Sequence, residues 1–272
     1  QDNVGFVIID TNDVNNPVCY GYNIGGCSDY ANGFLSGAEG FDIDVAKASD
    51  GRIYAYLARK STALQFEVVD VTDPANPVSI VKKAVNGITP PGAAYSEGYR
   101  VYYYKGKLYL TTRETAGKEF HVFNVATPWD AASITEYDNP KELNRTVTDF
   151  VVVDQNISGT DYTIAYLVAK AGLKEIAAWN VTDPANMSEI SSSIVNLPGG
   201  YDGLSVALNS VNKFLYVGRQ ANSNEELFVY DASNPFTGLI EKAKADVASA
   251  QPVGVVGIRV AGPFAYMVSD DA

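Results

Sequence analysis

Five segments of this chain repeat one pattern, an apolar run that ends in Asp or Asn and is followed by a polar turn. They read FVIIDTNDVNNPV (6–18), FEVVDVTDPANPV (66–78), FHVFNVATPWDAA (120–132), IAAWNVTDPANMS (176–188) and LFVYDASNPFTGL (227–239). The run-ending residues lie 51 to 60 positions apart, and joining the two termini would continue the series. A repeat of this length, with several strands per unit, is typical of β-propellers. We therefore predict a ring of five units.

Turn residues divide the second unit into four strands of alternating or continuous apolar character. Four antiparallel strands make a propeller blade, so the predicted fold is a single-domain, all-β, five-bladed propeller. The first blade takes strands from both termini, which pairs edges that would otherwise stay open. The predicted blades are 255–272 with 1–27, 39–86, 95–139, 148–197 and 201–248. The charge-rich stretch 241–250 matches a fourth strand and a loop better than a helix.

Composition excludes some partners. The formal net charge is -12, whereas nucleic acid and anionic membrane surfaces attract clustered Lys and Arg. No apolar stretch reaches the roughly 18 residues of a membrane helix. The chain begins at Gln1, which fits a mature exported product or an engineered sequence. We expect an extracellular or cell-surface protein.

The two cysteines, Cys19 and Cys27, flank a turn in CYGYNIGGC. An oxidising compartment would permit a disulfide between them, and we predict that bond. Two unlinked thiols are the alternative.

The motifs FVIID, FEVVDVTDPANP and LFVYDASNP, with preceding strands of the type AYLARK and AYMVSD, resemble the LVIVD repeats of bacterial and archaeal cell-surface proteins. The resemblance covers all five units, although Asn124 and Asn180 replace the usual Asp. It implies a β-propeller at or outside the cell surface. It brings no catalytic motif, and a propeller alone does not define a function.

His121 is the only histidine and lies inside the third strand of its unit. Catalytic triads and histidine-based metal sites would all depend on it, so those reaction classes are disfavoured. We expect His121 to have a structural role. The Asp-rich turns do not match an EF-hand loop, and no cofactor is predicted, although a structural cation at the central channel stays open.

Aligned blades place a carboxylate at the start of the first strand and a cation at the end of the second. In a meander these two ends share one edge, so we predict both sets on one face, around the central channel. The carboxylates are Glu39, Glu97, Asp149 and Asp202, and the cations are Arg59, Arg113, Lys170 and Arg219. The first blade breaks the pattern at Val256 and Asp270. A girdle of salt bridges and backbone hydrogen bonds, repeated because the blade is repeated, is the simpler explanation, and a charged site at the channel is the functional alternative.

Long loops on the same face carry Tyr30, Tyr95 and Tyr201, whose rings could stack on sugars. The leading hypothesis is therefore a secreted, non-enzymatic module that binds a glycan or a protein through the charged and aromatic residues of this face. One alternative is a carbohydrate-active hydrolase or lyase that uses two of Glu39, Glu97 and Asp202 as paired carboxylates. Another is a structural subunit of an extracellular layer or filament. The sequence does not predict the oligomeric state.

Overall fold

The computed structural model shows two compact units, residues 1–144 and residues 145–272. It describes residues 8–13, 15, 18–20, 40–88, 96–113, 117–170, 172, 174–220, 225–247 and 253–271. Within these ranges the regular structure is β-strand with three short 3₁₀ turns, at Pro184–Asn186, Ser191–Ser193 and Pro198–Gly200. No helix in the described part of the chain is long and apolar enough to cross a membrane.

The first unit contains one two-stranded and two four-stranded antiparallel sheets. Each strand pairs with the next one along the chain, in the orders β1-β2, β3-β4-β5-β6 and β7-β8-β9-β10. The strands are β1 (Ile8–Asp10), β2 (Val18–Tyr20), β3 (Gly40–Lys47), β4 (Ile53–Arg59), β5 (Phe66–Asp70), β6 (Val78–Lys83), β7 (Gly98–Tyr104), β8 (Lys107–Thr112), β9 (Phe120–Asn124) and β10 (Thr135–Glu136). The four-stranded sheets lie within the predicted second and third blades.

The second unit has the same meander order in β11-β12-β13-β14, β15-β16-β17-β18 and β19-β20. The strands are β11 (Val147–Ile157), β12 (Thr160–Ala169), β13 (Ile176–Asn180), β14 (Ser188–Glu189), β15 (Gly203–Leu208), β16 (Phe214–Arg219), β17 (Leu227–Asp231), β18 (Ile240–Ala245), β19 (Val253–Ala261) and β20 (Phe264–Asp271). The charge-rich stretch at 241–250 therefore begins in a strand, as predicted. That the terminal pairs β1-β2 and β19-β20 form one blade stays a prediction.

Each unit has its own apolar core. In the first unit the Tyr56 and Tyr103 rings stack with centroids 5.1 Å apart, and both belong to a cluster that includes buried side chains of β4, β5 and β8. In the second unit Val168, Val217 and Phe228 belong to one buried cluster. Burying aromatic and branched side chains between neighbouring sheets holds the strand ends in fixed positions.

The polar residue that ends each repeated apolar run forms a local turn. Its side-chain oxygen accepts a hydrogen bond from the backbone N–H two residues later, at 2.9–3.1 Å in all five repeats. The residues are Asp10, Asp70, Asn124, Asn180 and Asp231. Because a carboxylate and an amide oxygen accept equally in this Asx turn, the Asp-to-Asn changes in the third and fourth repeats preserve its geometry.

We expect Asn180→Ala to lower the free energy of unfolding by about 1 kcal/mol, because the side-chain oxygen of Asn180 accepts from both the backbone N–H and the hydroxyl of Thr182. Asn180→Asp keeps a hydrogen-bond acceptor in the same place, so its free energy of unfolding should stay close to that of the wild type. Urea unfolding of the two variants measures the difference. Equal losses would show that the turn does not depend on the side-chain oxygen.

Candidate functional site

The first strand of each blade is called its innermost strand below, and a β-bulge lies near the start of each of these strands. The bulge determines which residues are equivalent between blades. The register shifts by one residue between Gly40 and Asp42 in β3, and equivalent shifts occur in β7, β11, β15 and β19. A bulge re-aims the side chains around it. The bulge residues are Phe41, Tyr99, Thr148, Leu204 and Val256.

This register corrects the predicted row of carboxylates. Glu97 and Asp202 immediately precede their strands, and their carbonyls accept from Arg113 N (3.2 Å) and Gln220 N (2.8 Å). The equivalent residue before β11 is Thr146, whose carbonyl accepts from Lys170 N at 3.0 Å. The position directly before an innermost strand is called its mouth. Asp149 lies after the bulge in β11, so the prediction that it stands at the mouth was wrong. Glu39 lies outside the described residues.

Asp149 is bound to backbone instead. Its Oδ1 accepts from the N–H of Phe150 and its Oδ2 from the N–H of Val206 in the neighbouring innermost strand, both at 2.9 Å. Asp42 holds the same position in the first unit and accepts from the N–H of Val101 at 3.0 Å. Burial raises the pKa of Asp42, and the Val101 hydrogen bond opposes that rise. Both carboxylates join neighbouring innermost strands, so Asp149 is a structural residue.

The predicted row of cations also divides in two. In the strand ladders Arg59 pairs with Gly40 and Arg219 with Gly203. Arg113 and Lys170 come one residue after the last paired residues of β8 and β12. Successive residues of a strand face opposite sides, so these two pairs of cations do not form one row.

Arg59 forms a buried ion pair within its own sheet. Its Nε lies 3.2 Å from Glu67 Oε2, with both side chains at most 4% exposed; the two atoms are at ion-pair distance but not aligned for a hydrogen bond. Arg59 Nη1 donates to the carbonyl of Leu64 at 3.1 Å. Burial raises the pKa of Glu67, which the Ser79 hydroxyl and the charges of Lys82 and Arg59 oppose. Arg59 is therefore structural.

Arg219 is equally buried, at 1% exposed, but within the described part of the chain it forms no ion pair like that of Arg59. Its Nη1 donates to the carbonyl of Pro198 at 2.6 Å, and its guanidinium carbon lies 5.3 Å from the Tyr201 ring centroid and 5.2 Å from that of Phe228. Its Nε and Nη2 are buried, and among the described residues neither has a hydrogen-bond acceptor. Burial lowers the pKa of Arg219, partly opposed by the charge of Glu226.

An aromatic and cationic cluster lies at the bulges of the first unit. The Phe41 and Tyr99 rings meet edge to face, with centroids 5.3 Å apart. The Arg100 guanidinium lies 4.4 Å from the Tyr99 centroid, Arg113 5.8 Å from the same centroid, and the Lys60 amine 5.7 Å from that of Phe41. We call Phe41, Tyr99, Lys60, Arg100 and Arg113 the mouth cluster.

Glu97 lies beside the mouth cluster in sequence, directly before β7. Its Oε2 is buried and has no hydrogen-bond partner in the part of the chain that the structure describes. Of the other predicted residues, Tyr30, Tyr95 and Cys27 lie outside the described residues, as does the side chain of Cys19. The disulfide stays a prediction.

Sequence reasoning missed a buried row that directly precedes the third strands. The side-chain oxygen of each member accepts a hydrogen bond from a backbone N–H in the segment that follows the fourth strand. The donors are Val85 (3.1 Å), Leu143 (2.6 Å), Leu197 (2.9 Å) and Val247 (3.1 Å). The row consists of Gln65, Glu119, Glu175 and Glu226. Its signal was present, because Gln or Glu precedes the apolar run in four repeats. These side chains stabilise the scaffold.

His121 has the structural role predicted for it. The side chain is fully buried, its Nδ1 lies 2.8 Å from Glu136 Oε1, and its Nε2 lies 2.9 Å from the carbonyl oxygen of Lys118. Both ring nitrogens are thus engaged within the scaffold. Among the described residues, no group of three or more His, Cys, Asp and Glu side chains is arranged to hold a metal ion.

Comparison with known proteins identifies the fold and no family. No protein-family model and no curated protein matches the chain. The solved structures that it resembles include a Penicillium chrysogenum α-L-arabinanase bound to arabinobiose, with a TM-score of 0.50, 11% identity, and coverage of 80% of this chain and 70% of that one. The periplasmic gluconolactonase of Pseudomonas aeruginosa is similar with a TM-score of 0.52 and 12% identity, and the match covers 77% of this chain and 57% of that one.

A third similar structure is the extracellular domain of a B. thetaiotaomicron one-component system, with a TM-score of 0.51, 11% identity, and coverage of 94% of this chain and 29% of that one. The chain spans less than two thirds of this protein and of the gluconolactonase, at 29% and 57% of their lengths. With the meander sheets described above, these likenesses confirm the predicted all-β, five-bladed β-propeller of four-stranded antiparallel blades.

Proposed function

We propose that the chain is an extracellular, non-enzymatic module that binds a glycan at the mouths of its innermost strands. The mouth cluster is the observation that carries this proposal: two aromatic rings in edge contact, 5.3 Å apart, have three cationic groups around them. Aromatic rings offer apolar faces to sugar rings, while cations and hydroxyls bind their polar groups. The resemblance to LVIVD repeats supports a place at the cell surface.

The described residues favour binding over hydrolysis. A glycosidase holds two carboxyl groups about 5 to 10 Å apart across the scissile bond. In the second unit Asp149 is occupied by two backbone N–H groups, which leaves Asp202 as the one predicted mouth carboxylate there. In the first unit Glu97 is the described mouth carboxylate. The likeness to an arabinanase shows that the two proteins share a fold. A shared fold does not give the reaction.

We expect Tyr99→Ala to weaken glycan binding about 3- to 10-fold, because the variant loses one stacking face of the mouth cluster. Binding to an array of neutral and acidic polysaccharides, followed by titration of the glycan retained, measures the loss. Tyr266→Ala is the matched control, since Tyr266 is 60% exposed on β20 and outside the cluster. If no glycan on the array is retained, or if both variants bind as the wild type does, the proposed site is wrong.

A further inference from the structure

Two buried arginines occupy equivalent positions, and among the described residues only Arg59 forms an ion pair with a carboxylate. Arg59 ends β4 and Arg219 ends β16, each paired with the glycine that begins the neighbouring innermost strand. Two positions back in the same strands, Leu57 pairs with Glu67 and Val217 with Phe228. Phenylalanine therefore replaces in the second unit the residue that neutralises the arginine in the first.

The buried Nε and Nη2 of Arg219 have the geometry that a carboxylate needs. Nε and Nη2 lie on one edge of the planar guanidinium, and their N–H groups form a fork that two carboxylate oxygens match. The Pro198 carbonyl holds Nη1 at 2.6 Å and so fixes the orientation of the fork. At Arg59 the Nε of the same edge contacts a carboxylate oxygen, at 3.2 Å.

Neighbouring carboxylates are engaged elsewhere. Glu226 accepts from the N–H of Val247 at 3.1 Å, and Glu225 pairs with the Lys244 amine at 2.9 Å. Neither contributes a hydrogen bond to the Arg219 fork. A buried donor without an acceptor costs about 1–3 kcal/mol, and a ligand that supplies two acceptors recovers that cost on binding.

We propose that the Nε and Nη2 of Arg219 bind the carboxylate of an acidic sugar, a uronic acid at the end of a glycan chain. The identity of the ligand as a sugar rests on the proposed function, whereas the carboxylate rests on the fork itself. Tyr201 covers one face of the guanidinium at 5.3 Å and is only partly buried. Because the fork is buried, ligand binding requires the Tyr201 side chain to move aside.

A single carboxylate fits this chain better than a densely charged polymer. The net charge of -12 repels polyanions at long range, so recognition depends on the local fork. We therefore expect selectivity for one terminal acid group over repeated acidic groups.

Titration calorimetry with matched sugars tests the inference. The probes are oligosaccharides that end in one glucuronate or galacturonate, their methyl esters, and the neutral hexose counterparts. We expect the acid to bind at least about 10-fold more tightly than its ester, because the ester loses the charge-assisted pair. Arg219→Met should abolish that preference. Arg145→Met is the matched control, since Arg145 pairs with Glu189 in the same unit at 2.8 Å, and it should keep the preference.

The outcomes separate this inference from the proposed function. Equal binding of acid and ester, or a preference that survives in Arg219→Met, overturns the carboxylate site while glycan binding stands. If no sugar binds but peptides with a free terminal carboxylate do, and Arg219→Met abolishes their binding, the fork is confirmed and the glycan function is wrong. Far-ultraviolet circular dichroism of Arg219→Met checks that the loss does not come from unfolding; Arg219→Lys, which keeps the charge without the fork, should also lose the preference.

Discussion

Arg59→Met is expected to lower the free energy of unfolding by about 3 kcal/mol, because it removes the nearer of the two cations that the structure places beside the buried carboxylate of Glu67. Glu67 is fully buried, and the remaining cation near it, Lys82, lies 3.8 Å away. Urea denaturation of the variant measures the loss.

Two further variants show whether the ion pair is the cause. Arg59→Met combined with Glu67→Leu removes both charges and should recover most of the stability. Arg219→Met should cost less, about 1 kcal/mol, since it gives up the hydrogen bond to Pro198 while buried Glu226 keeps its hydrogen bond from the N–H of Val247. A loss at Arg59 no larger than the loss at Arg219 would show that the two arginines are equivalent and would remove the contrast on which the carboxylate site rests.

Gly98→Ala should destabilise the first unit by about 3 kcal/mol or more, the upper range for overpacking. A β-carbon at Gly98 would lie 2.0 Å from the carbonyl oxygen of Gln65 and 3.1 Å from the backbone N of Arg59. These two atoms form a 2.8 Å hydrogen bond, so backbone would have to move. Thermal and urea unfolding both report the effect.

Gly257→Ala is the control for this substitution. Gly257 also lies in an innermost strand, but a β-carbon there meets only the side chain of Val268 at 3.7 Å, which is ordinary contact. The free energy of unfolding of Gly257→Ala should remain within about 1 kcal/mol of the wild-type value. Similar losses at the two glycines would contradict the close approach of the sheets at Gly98.

The repeated scaffold could be predicted from the sequence because its chemistry is local. An Asx turn needs one oxygen two residues before its donor, so Asp70 and Asn180 identify it in any sequence alignment of the repeats. Strand alternation and turn residues likewise predicted the order of strands in each sheet. The residues outside the described ranges, including Glu39 and Tyr95, keep their predicted roles as hypotheses.

The candidate site was less predictable because a bulge does not interrupt the sequence pattern. The extra residue Thr148 in β11 moves Asp149 away from the mouth, and nothing in the alternation of TDFVVV indicates it. The difference between the two arginines was hidden in the sequence because it depends on pairing between strands. Arg59 and Arg219 end similar strands, but their surroundings differ because the next strand along the chain contributes Glu67 in one case and Phe228 in the other.

The central claim, that the chain binds a glycan without cleaving it, is tested most directly by the mass of the glycan recovered after prolonged incubation. An oligosaccharide retained by the wild-type protein should be recovered at its original mass, with no shorter product. Products of hydrolysis or elimination that disappear in Glu97→Gln or Asp202→Asn would contradict the claim and establish the carboxylates at the strand mouths as catalytic.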